Sequence, residues 1–282
     1  MVLLHLLALV SAVSAPPTPE QYYARALDTM NALPQPAYLT FDMDMKAGGA
    51  EIGTSCSPGA GAAFSVGWGR AMHHELHTEG EYSLSGNAAA IREDDGTYCR
   101  DDAALFKPAW AAMHDWMRYG ISQPPSSPQR RASHSTQSNT SRLPTIAAVT
   151  AMAPAAYDVF DHGTATCPSG TPGHALHLVA RSNPDEHPLT DVVIETRTMR
   201  FCSMRFSLVN AVVAGTGAKG DMTVDFGEDN GYWSVTHGYA VISLRILGAS
   251  LKHFSLDMSY ADMQYPAQLP HPIPPQAQQR QM

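Results

Sequence analysis

Thirteen histidines are distributed along this 282-residue chain, and five residues hold the densest candidate for chemistry, His73-His74-Glu75-Leu76-His77. On an extended strand His73, Glu75 and His77 share one face, with donor types that suit a transition metal. Met72, His74 and Leu76 take the other face. The spacing differs from the helical zinc-protease pattern, because Thr78 stands where that pattern needs its second histidine. A polar outer strand face explains the same residues with no metal. His174 and His177, three apart, point to opposite faces of a strand and do not chelate together. Asp42 and Asp44 share a face as paired catalytic carboxylates would, yet they alternate with Phe41 and Met43, as on the wet side of a half-buried strand. No Gly-x-Ser-x-Gly nucleophile turn is present. The glycine-rich stretches at 57–61 and 215–220 lack the Lys-Ser/Thr ending of a phosphate loop and read as hairpin loops. These residues point to a non-enzymatic protein and call for no cofactor. A metal-dependent hydrolase using His73, Glu75 and His77 is the weakest of three functional readings.

The elements that carry these residues are strands. Leu39, Phe41, Met43 and Met45 alternate with Thr40, Asp42, Asp44 and Lys46. Cys202, Met204 and Phe206, then Met222, Val224 and Phe226, then Phe254, Leu256 and Met258 repeat the pattern. Period two places side chains on opposite faces of a pleated strand, so the repetition predicts a large antiparallel sheet with one apolar and one polar face. Two helices are expected. The first spans Pro19 to Leu33, is capped by Thr18, and places Tyr22, Ala26, Leu27 and Met30 on one stripe. The second spans 102–119, where Trp110, Met113, Trp116 and Met117 recur at helical spacing. A hairpin is expected across Lys46-Ala47-Gly48-Gly49. Separate strands are expected at 231–237 and 239–247.

Composition sets further bounds. The net charge of −8 argues against nucleic acid and anionic membrane surfaces as partners. No run reaches the roughly 18 apolar residues of a transmembrane helix. Residues 1–15, apolar from Val2 to Val10 and ending in Val13-Ser14-Ala15, read as an export signal, which predicts a periplasmic or extracellular protein. Four cysteines, Cys56, Cys99, Cys167 and Cys202, suit two disulfides in such a compartment. Cys56–Cys99 and Cys167–Cys202 are favoured of the three pairings, since each joins neighbours within one half of the chain. One domain is expected over 16–270, with a Ser- and Pro-rich flexible insert at 121–145 and a disordered tail at 271–282.

The order of a signal, one amphipathic helix, strands, a middle helix and a strand meander resembles the exported lipoprotein-carrier superfamily, the LolA/LolB-like half-barrels. The opening helix followed by Ala37 to Met45 looks like the start of that family. Leu189 to Arg200 looks like its later hairpin, and Gly231-Tyr232-Trp233 like its aromatic strand start. The resemblance implies an incomplete antiparallel barrel, mainly β, wrapped around two or three helices. It also implies an apolar cavity that carries a lipid or other hydrophobic ligand. Candidate walls are Phe41, Met43, Phe206, Phe226 and Leu256 on strands, with Trp110, Met113 and Trp116 on the second helix. A secreted envelope module whose groove binds a protein partner is the alternative.

The composition of the insert makes a direct prediction. Deleting Pro124 to Ser141 should leave the melting temperature within a few degrees of the parent, because lengthening or shortening a surface loop costs little. Thermal unfolding followed by circular dichroism checks this.

Overall fold

The computed structural model describes residues 16–275 apart from 34–35, 50, 58–60, 68–72, 84–87, 94, 102–151, 183, 185–186, 214–215 and 247–248. The expected signal at 1–15, the second helix at 102–119, the insert at 121–145 and the end of the tail therefore lie outside the described residues.

Helix α1 (Pro19–Asn31) starts on a capping box: the Thr18 hydroxyl accepts the Gln21 N–H, and the Gln21 side chain accepts the Thr18 N–H. Its buried stripe is Tyr23, Ala26, Leu27 and Met30, at three- and four-residue spacing. Tyr23 thus takes the place expected for Tyr22, which is only partly buried against the core. The Tyr23 hydroxyl donates to the Met152 carbonyl at 3.1 Å, and its ring lies 5.8 Å from that of Phe201.

Thirteen strands follow among the described residues. They are β1 (Tyr38–Gly48), β2 (Glu51–Ser57), β3 (Gly61–Gly67), β4 (His73–Ser83), β5 (Ala88–Arg92), β6 (Tyr98–Asp101) and β7 (Tyr157–Thr166). After these come β8 (Pro172–Ala180), β9 (Leu189–Glu195), β10 (Phe201–Val213), β11 (Thr216–Asp229), β12 (Tyr232–Ile246) and β13 (Ala249–Gln264). Eleven form one antiparallel sheet in the order β6-β5-β4-β1-β13-β12-β11-β10-β9-β8-β7. Strands β7 to β13 are one meander and β4 to β6 another, joined through the pairing of β1 with β13. Among the described residues the sheet is open, with β6 and β7 as its edges. The fold is mainly β as expected, but the described residues contain one α-helix, so a barrel wrapped around two or three helices is not what they form.

Two local expectations are corrected. The hairpin expected across Lys46–Gly49 does not form. β1 pairs with β4 and β13, while β2 pairs with β3 in a separate two-stranded sheet. The chain leaves β1 at Gly49, whose φ of +75° and close approach to the His253 carbonyl exclude a side chain. The strands expected at 231–237 and 239–247 are one strand, β12, with a register shift opposite Asp225 and Phe226. The extra residue of a bulge interrupts the alternation that marks a strand in the sequence. β11 and β12 are joined at Asn230-Gly231, both at positive φ, as a two-residue hairpin requires.

Cys56 is bonded to Cys99 and Cys167 to Cys202, the pairings favoured from the sequence, and no cysteine is free. The first ties the β2–β3 hairpin to edge strand β6. The second ties the β7–β8 turn to β10 across two intervening strands. The two bonds should therefore fail differently. Cys167→Ser with Cys202→Ser should lower global stability by roughly 2–4 kcal/mol in a denaturant titration. Cys56→Ser with Cys99→Ser should mainly accelerate amide exchange in β2–β3, since a two-stranded hairpin is marginal alone.

Candidate ligand-binding face

One face of the sheet is apolar from β1 through β10. Phe41 and Met43 on β1, Phe206 on β10, Phe226 on β11 and Leu256 on β13 all lie on it, each between 1 % and 7 % exposed. Cross-strand partners alternate large with small: Leu256 faces Ala47 on one side and Ala240 on the other, and Phe41 faces Gly80. A Cβ on Gly80 would sit 2.3 Å from the tip of the Phe41 ring, so this ring position requires glycine. From β1 to β10 the face crosses four inter-strand steps, about 19 Å. The five strand residues therefore share a face without meeting at a point. Trp110, Met113 and Trp116 lie outside the described residues.

The chemistry of this face is soft. Nine of the fourteen methionines belong to its core or pack against it, among them Met43, Met45, Met204, Met222 and Met258. Thioether side chains are unbranched and polarisable, and they re-pack around irregular shapes. Helix α1 covers the end of the face nearest β7 and β10, through Tyr23 against Phe201.

The opposite face carries cross-strand His–carboxylate pairs. His77 on β4 meets Asp44 on β1 at 2.6 Å, His177 meets Asp191 at 2.8 Å, and His237 bridges to Asp257 at 2.9 Å. Of the metal-ligand candidates His73, Glu75 and His77, Glu75 is engaged by Lys46 at 3.5 Å and His77 by Asp44, each across the β1–β4 ladder. The side chain of His73 is not among those described. The described residues contain no group of three His, Cys, Asp or Glu disposed to hold a metal ion. Asp42 and Asp44 both lie on this polar face and have different surroundings. Burial, then the neighbouring Glu79 carboxylate, raise the Asp42 pKa above its ordinary value; His77 opposes the shift and Asp262 adds to it.

A polar cleft of about 330 Å³ opens on the same side, lined by Thr40, Asp42, Glu79, Glu81, Arg92, Tyr98 and Asp262, with Pro270 and His271 at its rim. Sequence reasoning missed this region. Glu81 falls in no motif, although a carboxylate within a strand pattern that turns out buried is a signal for a buried partner. Within the tail expected at 271–282, His271 touches Glu81 on β4 and the Pro274 carbonyl accepts from Arg100 on β6.

No protein-family model matches this chain, and no curated protein matches it at a significant level. Solved structures to which it is similar include a domain from Vibrio parahaemolyticus described as an outer membrane lipoprotein-sorting protein. That likeness has 9 % identity and a TM-score of 0.32, covering 88 % of this chain and 92 % of that one. A DUF1329 family protein from Desulfovibrio piger gives 11 % identity and a TM-score of 0.34, over 89 % and 93 % of the two chains. A LolA superfamily protein from Nitrosomonas europaea gives 9 % identity and a TM-score of 0.28, over 88 % and 94 %. Likeness at these scores transfers no residue role to this chain.

The raised Asp42 pKa sets a pH dependence. Folding favours the protonated carboxyl, so its contribution is present below about pH 4 and is lost as pH rises through the raised value. Asp42→Asn should therefore raise the melting temperature at neutral pH and leave it unchanged near pH 3, as differential scanning calorimetry at the two pH values will show.

Proposed function

We propose that this protein is an exported, non-enzymatic carrier or binder of a lipid or other hydrophobic group, which it holds against the apolar face of the open sheet. The observation that carries the reading is that face itself. It runs without a polar break from β1 across β13 and β12 to β10, it is rich in methionine, and one described helix lies over one end of it. The wall residues are buried within the chain, and adaptable thioethers would let the face re-pack around acyl chains of varied shape. Two disulfides favour an oxidising compartment, which is the support for export. We assign the strand walls to Phe41, Met43, Phe206, Phe226 and Leu256, and extend them to Trp110, Met113 and Trp116 on the helical stripe of the sequence.

Native mass spectrometry of the purified protein, with organic extraction of anything bound, tests the reading. Co-purifying lipid supports it. Stoichiometric zinc would favour the hydrolase, and a clean apo mass with a tight protein partner would favour an envelope module. A variant sharpens the result. Met113→Arg should fold and lose uptake of a fluorescent fatty acid, because an arginine at a ligand-filled wall can extend to water. Unfolding of Met113→Arg, through an unpaired buried charge worth several kcal/mol, would mean a solid core and would sink the carrier.

A further inference from the structure

The last described residues of the chain do not trail into solvent. Beyond β13, Tyr265 stacks on Tyr232 with ring centroids 4.2 Å apart and hydrogen-bonds Ser234. The chain then crosses the polar face towards edge strand β6. His271 Nδ1 is 2.7 Å from Glu81 Oε1, and its ring centroid is 5.6 Å from that of Tyr98. The Tyr98 hydroxyl donates to Glu81 Oε2 at 3.1 Å and lies 3.5 Å from the His271 carbonyl. Arg100 Nη1 donates to the Pro274 carbonyl at 3.3 Å. The Glu81 side chain is 9 % exposed, a nearly buried carboxylate satisfied from both sides, once by β6 and once by the tail.

The chemistry of these contacts is specific to a proline-rich segment. Residues 270–275 read Pro-His-Pro-Ile-Pro-Pro. Each proline fixes its own φ and removes an N–H, so such a segment favours the polyproline II helix and has few donors to offer a sheet edge. What it offers is carbonyl groups. Arg100 reads the Pro274 carbonyl, and the Tyr98 hydroxyl, whose one proton goes to Glu81, lies against the His271 carbonyl; the two carbonyls are three residues apart, one polyproline II turn, which places them on the same side. The reading groups are an aromatic ring and two side-chain donors on alternate residues of β6, Tyr98 and Arg100, which share one face of that strand. An aromatic surface flanked by donors to backbone carbonyls is how grooves take proline-rich peptides.

We infer that the polar face of β4–β6 is a docking groove for proline-rich segments, built from Glu81, Tyr98 and Arg100 and occupied in cis by residues 270–275 of this chain. The partner it fits is an extended proline-rich peptide with a histidine one turn before a proline. The tail guards the groove, and a competing segment must displace it. This inference is independent of the proposed lipid binding, since the groove lies on the opposite face of the sheet.

The test is a titration of the full chain with a synthetic peptide of residues Gln268–Pro275, carried to millimolar concentration and followed by NMR shifts of the Tyr98 and Arg100 amides. The tail variant His271→Ala with Pro272→Gly leaves the groove intact and loosens its occupant. It should bind the peptide at least about tenfold more tightly than the unmodified chain. Adding Arg100→Ala should abolish that gain. The peptide with alanine for histidine should bind at least about tenfold more weakly. Equal binding by the unmodified chain and the tail variant, or no shifts in a folded tail variant, overturns the inference. If the tail variant fails to fold, amide exchange of β6 in the unmodified chain decides. Peptide in excess should slow it when the sequence is native and not when it is scrambled; equal rates overturn the inference. A full-chain dimer that the tail variant dissolves would assign the groove to the tail of a second copy and overturn the cis arrangement.

Discussion

The pairing of the first strand of the sheet with the last holds the molecule together. β1 and β13 are joined from Thr40–Gln264 to Gly48–Ser255, more than two hundred residues apart in sequence. On one side of this seam stands the β7–β13 meander, and on the other the short β4–β6 meander, which reaches the rest of the sheet only through β1. Such a contact closes a very long loop, so its entropy cost must be met by the side chains it brings together. It also sets register. A slip of one residue would turn Phe41, Met43 and Met45 outward and bring Asp42 and Asp44 inward. The bulge near the end of β13, with Asp262 at a φ of +47°, adjusts the last turn of the seam so that Met263 is buried while Asp262 faces Asp42.

With register set, the two faces take on different work. The apolar face pairs large side chains with small ones, Phe41 over Gly80 and Leu256 between Ala47 and Ala240, and fills its remaining surface with methionine. The polar face is laced by His–carboxylate pairs between neighbouring strands, which are exposed or half exposed and contribute modestly each. Edge strand β6 has four residues and would present unpaired backbone groups to solvent. It is anchored by the Cys56–Cys99 bond to the β2–β3 hairpin, and the tail reaches it through Tyr98 and Arg100.

Much of this was written locally in the sequence. Period-two alternation in β1, β10, β11 and β13 marked both strand existence and the buried set. Thr18 marked the helix start, and four cysteines marked two bonds. The strands and the helix start are legible because their causes act within a few residues: the pleat and the orphan N–H groups of a helix end. The tertiary structure alone decided which strand lies beside which. It separated β2–β3 from β1, fused two expected strands into β12 through a bulge, placed Tyr23 rather than Tyr22 in the core, and joined His271 to Glu81 across 190 residues. Those outcomes depend on burial and hydrogen bonds between distant segments, whose partners no local pattern names. So the sequence by itself determined the strands, their apolar face and the helix cap, while only the tertiary structure chose the neighbours of each strand and the resting place of the tail.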